Sequence, residues 1–189
     1  MVRTTTIGAT LTTSVVVAVT LLIVASANAG GARVGVGFNA ASISGFHPGG
    51  EAFLTGGGAY DPQTASNADP EDAFVHSNGG FHCLQDVGQG PLQGCLQGEG
   101  IRWDSDGLLQ STAFKCTGAP TEPGKTAVTD AHTEVLESDF YRAGDGNDGS
   151  FKSVKVIVAD HDIADDIPGL QNIWIERLGC GTATVNFSS

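Results

Sequence analysis

The chain has 189 residues, of which 21 are acidic and nine are Lys or Arg, for a formal charge of −12. One of the nine basic residues, Arg3, lies in a segment read below as a leader, so the remainder carries eight basic against 21 acidic residues, or −13. That balance excludes a binder of nucleic acid or of anionic membrane by bulk charge. Glycine, at 27 residues, is about twice its usual ~7 % share, which disfavours helix interiors and suits turns and bulges.

Residues 1–29 have a basic start at Arg3, an apolar run from Val15 to Ala25, and the small-x-small ending Ala27-Asn28-Ala29. This is the layout of a secretory signal peptide cleaved before Gly30. An uncleaved anchor fits less well, because the run is shorter than the ~20 residues that span a bilayer. No cysteine at the cleavage site suggests lipidation. Residues 30–189 then form one secreted β domain, with its core at roughly 51–187, and no membrane association is expected after cleavage.

Along that domain, apolar residues alternate with small or polar ones at Val34, Val36 and Phe38, at Ile101 and Trp103, at Phe114 and Cys116, at Val154, Val156 and Val158, and at Ala183, Val185 and Phe187. Period two predicts strands with one buried face. Gly49-Gly50, Gly56-Gly57-Gly58, Gly79-Gly80, Asp106-Gly107, Asp145-Gly146 and Asp148-Gly149 are read as turn punctuation, with the glycine triplet a bulge or strand end. Asp61–Asp72 and Gly118–Lys125 read as exposed loops. A single helical turn is expected at Asp162–Ile167, stopped by Pro168-Gly169. The predicted fold is mainly β: an antiparallel β-sandwich or barrel with tight Gly-rich turns.

Export places Cys83, Cys95, Cys116 and Cys180 in an oxidising compartment, where two disulfides are expected. Cys83–Cys95 with Cys116–Cys180 is the favoured pairing, since the first closes a short Gly/Pro loop and the second ties the chain's end to its middle. The shared pattern of Phe81-His82-Cys83 and Phe114-Lys115-Cys116 would also suit two neighbouring strands bridged directly. A zinc site using His76 and His82 is disfavoured by the lack of a C-x-x-C pair.

Several ordered motifs bear a resemblance. Leu54-Thr55-Gly56-Gly57-Gly58, Gly79-Gly80-Phe81-His82-Cys83, Gly90-Pro91-Leu92 with Gly94-Cys95, and Gly98 to Asp104 are followed by Phe114-Lys115-Cys116, Asp139 to Gly146, and Gln171 to Ile175 ahead of Gly179-Cys180-Gly181. Together they resemble a group of uncharacterised secreted bacterial proteins over most of residues 51–187. The resemblance implies export and paired cysteines, and it brings no activity, ligand or catalytic residue.

No nucleophile elbow, metalloprotease, deaminase or phosphate-loop signature occurs. Asp145-Gly146-Asn147-Asp148-Gly149 resembles the start of a calcium loop but breaks the ligand order and lacks the terminal Glu, so a hairpin turn is the simpler reading. Asp160, Asp162, Asp165 and Asp166 crowd four carboxylates beside His161. Solvation or a cation, calcium above all, would relieve them, and no other cofactor is expected. Glu99 and Asp104 flank Trp103 as a carboxylate pair for glycoside hydrolysis, although a local Glu99–Arg102 ion pair and a core role for Trp103 account for the same residues. The sequence therefore supports a secreted, non-catalytic β module for an unknown extracellular ligand, with a small carbohydrate-acting hydrolase as the alternative. A groove gathering two carboxylates and Trp103 or Trp174 would favour the enzyme, and buried tryptophans the module.

Overall fold

A computed structural model describes residues 33–142 and 151–189, so the leader and the Asp145–Gly149 segment lie outside the described residues. Eight antiparallel strands close a barrel in the order β1 (Val34–Gly45), β2 (Glu51–Tyr60), β3 (Val75–Gln85), β4 (Arg102–Leu108), β7 (Thr133–Tyr141), β8 (Phe151–Ala159), β9 (Ile173–Ile175) and β10 (Gly179–Ser188), which pairs back with β1. The remaining two, β5 (Ser111–Phe114) and β6 (Lys125–Val128), form a separate hairpin inserted between β4 and β7. Removing that hairpin leaves an up-and-down meander in which closure itself satisfies every sheet edge. Of the two predicted architectures the barrel is the one formed.

Period two explains the layers. Val34, Val36, Phe38 and Ala40 of β1, Leu54 of β2, Phe81 of β3, Trp103 of β4, Leu136 and Phe140 of β7, Val154, Val156 and Val158 of β8, and Ile173 and Ile175 of β9 share one phase and one core. The opposite phase of the later strands would face water on a bare barrel. Here Val135, Ile157, Trp174 and Cys180 instead pack with Leu109, Phe114, Cys116 and Ala127 as a second, flanking core under the hairpin. An eight-stranded barrel has room for packed side chains or for one small ligand. Trp103, Phe81, Phe140, Leu54, Leu136, Ile173 and Ile175, all with less than 2 % exposure, supply the packing in this one.

Three turn readings are corrected by the strands. Gly56-Gly57-Gly58 and Gly79-Gly80 lie within the adjacent strands β2 and β3, with Gly56 opposite Gly79 across the ladder, and Asp106-Gly107 lies in β4 beside a bulge. The reason is close approach rather than turning: a Cβ on Gly56 would sit 2.4 Å from Trp103 Cζ2 and 2.8 Å from the Asn78 carbonyl oxygen. The glycine stripe is the space that the indole occupies. The helical turn expected at Asp162–Ile167 is an irregular turn. Asp162 does accept the Ala164 N–H at 2.9 Å as a cap would, but Ile163 donates to the Gln171 carbonyl at 2.7 Å and joins the returning chain. Asp61–Asp72 is a loop, as expected, with 3-10 turns at Pro62–Thr64 and Pro70–Asp72.

Both disulfides form in the favoured pairing, Cys83–Cys95 and Cys116–Cys180, and the direct strand-to-strand bridge does not. No free cysteine occurs among the described residues, which leaves none for zinc. The two bridges fit an extracellular protein, and among the described residues no helix is long and apolar enough to cross a membrane.

Candidate functional site

The acidic segment is spread over separate partners. Asp160 accepts from or shares a proton with His132 at 2.7 Å and His161 at 3.2 Å, Asp162 caps its own turn, and Asp166 reaches Lys125 at 2.9 Å. Burial alone would raise the Asp160 carboxyl, but the two imidazoles outweigh it and hold it below its ordinary value. Among the described residues no three His, Cys, Asp or Glu side chains, Asp165 included, are grouped so as to hold a metal ion.

Glu99 and Asp104 likewise go to different arginines. Asp104 pairs with Arg102 at 2.6 Å, while Glu99 lies 3.6 Å from Arg142 and accepts the Leu96 N–H at 2.9 Å. The expected Glu99–Arg102 pair is therefore replaced by two others, because alternation on β4 puts Arg102 and Asp104 on one face. Trp103 points the other way, fully buried between Phe38 and Phe140, with its indole N–H donating to the Thr55 carbonyl at 2.9 Å. Trp174, 3 % exposed beneath the hairpin, borders a separate recess whose lining holds neither Glu99 nor Asp104.

Sequence reading passed over one buried acid. Glu134 shares the phase of Leu136 and Phe140 on β7, so it turns into the barrel, where it is 0 % exposed. Ser77 on β3 donates to its Oε1 at 2.6 Å, bridging past β4. Its Oε2 and the Ser138 hydroxyl are buried with no hydrogen-bond partner among the described residues. Burial pushes the carboxyl up to about 7, and the Ser77 bond opposes this only in part. The signal was available in the sequence: Glu134, Leu136, Ser138 and Phe140 alternate on one face.

A cleft of about 320 Å³ opens where the hairpin meets the barrel. Its first wall is the hairpin, including the loop that joins β5 to β6, with Phe114, Lys115, Gly118 and Gly124 on the lining. Glu122 organises that loop: its carboxylate accepts N–H bonds from Cys116 at 2.6 Å, Thr117 at 2.8 Å and Gly118 at 3.0 Å, together with the Thr117 hydroxyl at 2.6 Å. Burial would raise this acid, but Thr117, the backbone donors and Lys125 together take it down to about 2. The Cys116–Cys180 bridge ties the same wall to β10, and the Trp174 indole N–H donates to the Lys115 carbonyl at 2.9 Å. The opposite wall carries Lys155 of β8, Trp174 of β9, and the Glu176-Arg177 turn. Arg177 holds a left-handed backbone with φ of 56°, uncommon for a residue with a Cβ and a mark of conformations fixed by their surroundings. Together these contacts frame a recess with basic side chains on its lining and the edges of the buried Phe114 and Trp174 at its base.

No family model, no curated protein and no solved structure matches the chain.

Proposed function

We propose that the protein is an exported, disulfide-stapled binding module without catalytic activity, and that its ligand face is the cleft between the β5–β6 hairpin and the barrel. One observation carries the reading. The interior of the barrel, which in wider barrels takes the ligand, is packed with side chains, whereas the flank presents a recess of small-molecule size with aromatic edges at its base. Two disulfides and a leader-like start support export, and a strongly acidic surface supports a soluble life away from anionic membranes.

The hydrolase reading is weakened by the same geometry, since Glu99 and Asp104 are each engaged by an arginine and neither lines the cleft that Trp174 borders. The test has two arms. The full chain, expressed with its own leader, is recovered from the medium; a mass beginning at Gly30 supports export, and an intact Met1 in the membrane fraction overturns it. That material is then offered oligosaccharides beside its Glu99→Gln and Asp104→Asn variants. No turnover by any of the three supports the module, and turnover that either substitution abolishes would overturn it.

A further inference from the structure

The basic residues of the protein are not evenly engaged. Arg102 pairs with Asp104, Lys125 with Glu122 and Asp166, Arg142 with Glu99, and Lys152 with Asp139, while Arg33 lies over the Phe74 ring at 4.0 Å. Among the described residues Arg33, Lys115, Lys155 and Arg177 stand outside every ion pair, and the last three line the same cleft. Lys115 spends one of its donors on the Ala119 carbonyl at 3.4 Å, and Lys155 sits across the β7–β8 ladder from Glu137, whose carboxyl its charge favours in the ionised form without closing to an ion pair. Glu176 is the single carboxylate on the lining, so the recess carries an excess of two positive charges on a protein of net charge −12. On so acidic a protein, a local excess of positive charge beside apolar side chains makes this recess a place that draws an anion.

We infer that the cleft takes a small organic anion: a molecule with an aromatic or alicyclic body that lies against Phe114 and Trp174 and an acidic head held by Lys155, Arg177 and Lys115. The volume of about 320 Å³ is at the low end for small-molecule sites and suits a body of one or two fused rings. Arg177 offers a planar fork matched to a carboxylate, and each charge-assisted bond is stronger than a neutral one. The left-handed backbone at Arg177 is part of the device. It seats the residue so that a Cβ on Gly90 would meet the Arg177 Cβ at 2.6 Å, which packs the root of the side chain against the Gly90 loop at the margin of the recess that Arg177 lines.

This inference rests on the cleft being the ligand face, and the experiment separates the two. Naphthalene-2-carboxylate and its neutral isostere naphthalene-2-carboxamide are titrated into the full exported chain by calorimetry at low salt and at 0.5 M NaCl, alongside Arg177→Gly, Lys155→Gln and the remote control Arg33→Gln. Glycine is at ease at the φ of Arg177, so that variant removes the charge without straining the fold. The expected result is that the acid binds about tenfold or more tighter than the amide, that salt narrows this gap, and that Arg177→Gly and Lys155→Gln each weaken the acid about tenfold while leaving the amide and the melting midpoint unmoved. Arg33→Gln should change neither ligand. Equal affinity for acid and amide would overturn the anion inference and leave the cleft as an apolar site. An acid preference untouched by both cleft variants would overturn it as well, and binding of neither probe would overturn the cleft reading with it.

Discussion

The barrel interior and the flank under the hairpin each bury one tryptophan and one glutamate, and they treat them in opposite ways. Inside, Trp103 fills the space left by a glycine stripe, and Glu134 has a single donor, Ser77, and a carboxyl raised to about 7. On the flank, Trp174 borders an open recess, and Glu122 gathers backbone N–H groups, a hydroxyl and Lys125, which bring it down to about 2. Burial alone does not decide the charge of an acid; the number of donors pointed at it does. The flank gathers ordered charges around a recess, and the interior is closed by side-chain packing.

The largest effect should come from unstapling the flank. Cys116→Ala with Cys180→Ala opens a loop of 64 residues, and chain entropy puts the loss at about 4 kcal/mol, read as a lower midpoint in urea. If the double variant unfolded at the wild-type midpoint, the flank would be a passenger on the barrel. Filling the interior is the next test: Gly56→Ala drives a methyl group into Trp103 and the Asn78 carbonyl and should cost about 3 kcal/mol, with an altered Trp103 environment in near-ultraviolet circular dichroism. A neutral outcome would mean that the interior has slack, and the contrast between packed barrel and open flank would fail.

The two glutamates give the pH dependence, with opposite signs. Glu134 has a raised carboxyl, so between about pH 4.5 and 7 the folded state holds a proton that the unfolded state has released, and the stabilisation present below that window is lost as pH rises through it. Glu134→Gln should therefore be about 2–3 kcal/mol more stable than wild type at pH 8 and nearly equal to it at pH 4.5. Glu122 has a lowered carboxyl, so its stabilisation is complete above about pH 4.5 and is lost as pH falls toward 2. Glu122→Gln should cost about 1–2 kcal/mol at pH 6, reduced by screening at the protein's edge, and almost nothing near pH 2. Chemical denaturation across pH 2–8 measures both, and parallel profiles for wild type and either variant would show that the acid in question is not set as described.

Much of this contrast was legible in the residues before the fold was known. Alternation at Val34–Phe38, Val154–Val158 and Ala183–Phe187 marked strands, and loop length favoured the cysteine pairing that forms. The glycine stripe was misread because turns and close packing use the same residue, and only the position of Trp103 across the ladder separates them. Glu99 and Asp104 are near in sequence yet are held by different arginines, one of them from beyond β7. The cleft could not be read at all, since Lys115, Lys155 and Arg177 come from three distant stretches that meet only when the hairpin folds over β8 and β9. Glu134 stands between these cases, because its strand phase was written in Leu136 and Phe140.

The two tryptophans allow the central claim to be read in one spectrum. In a ¹⁵N-labelled sample their indole N–H groups, Trp103 on the Thr55 carbonyl and Trp174 on the Lys115 carbonyl, report on the interior and on the cleft separately. On addition of naphthalene-2-carboxylate the Trp174 indole resonance should shift in a saturable way while that of Trp103 stays in place. A shift at Trp103 with Trp174 unmoved would put the ligand inside the barrel and contradict the account.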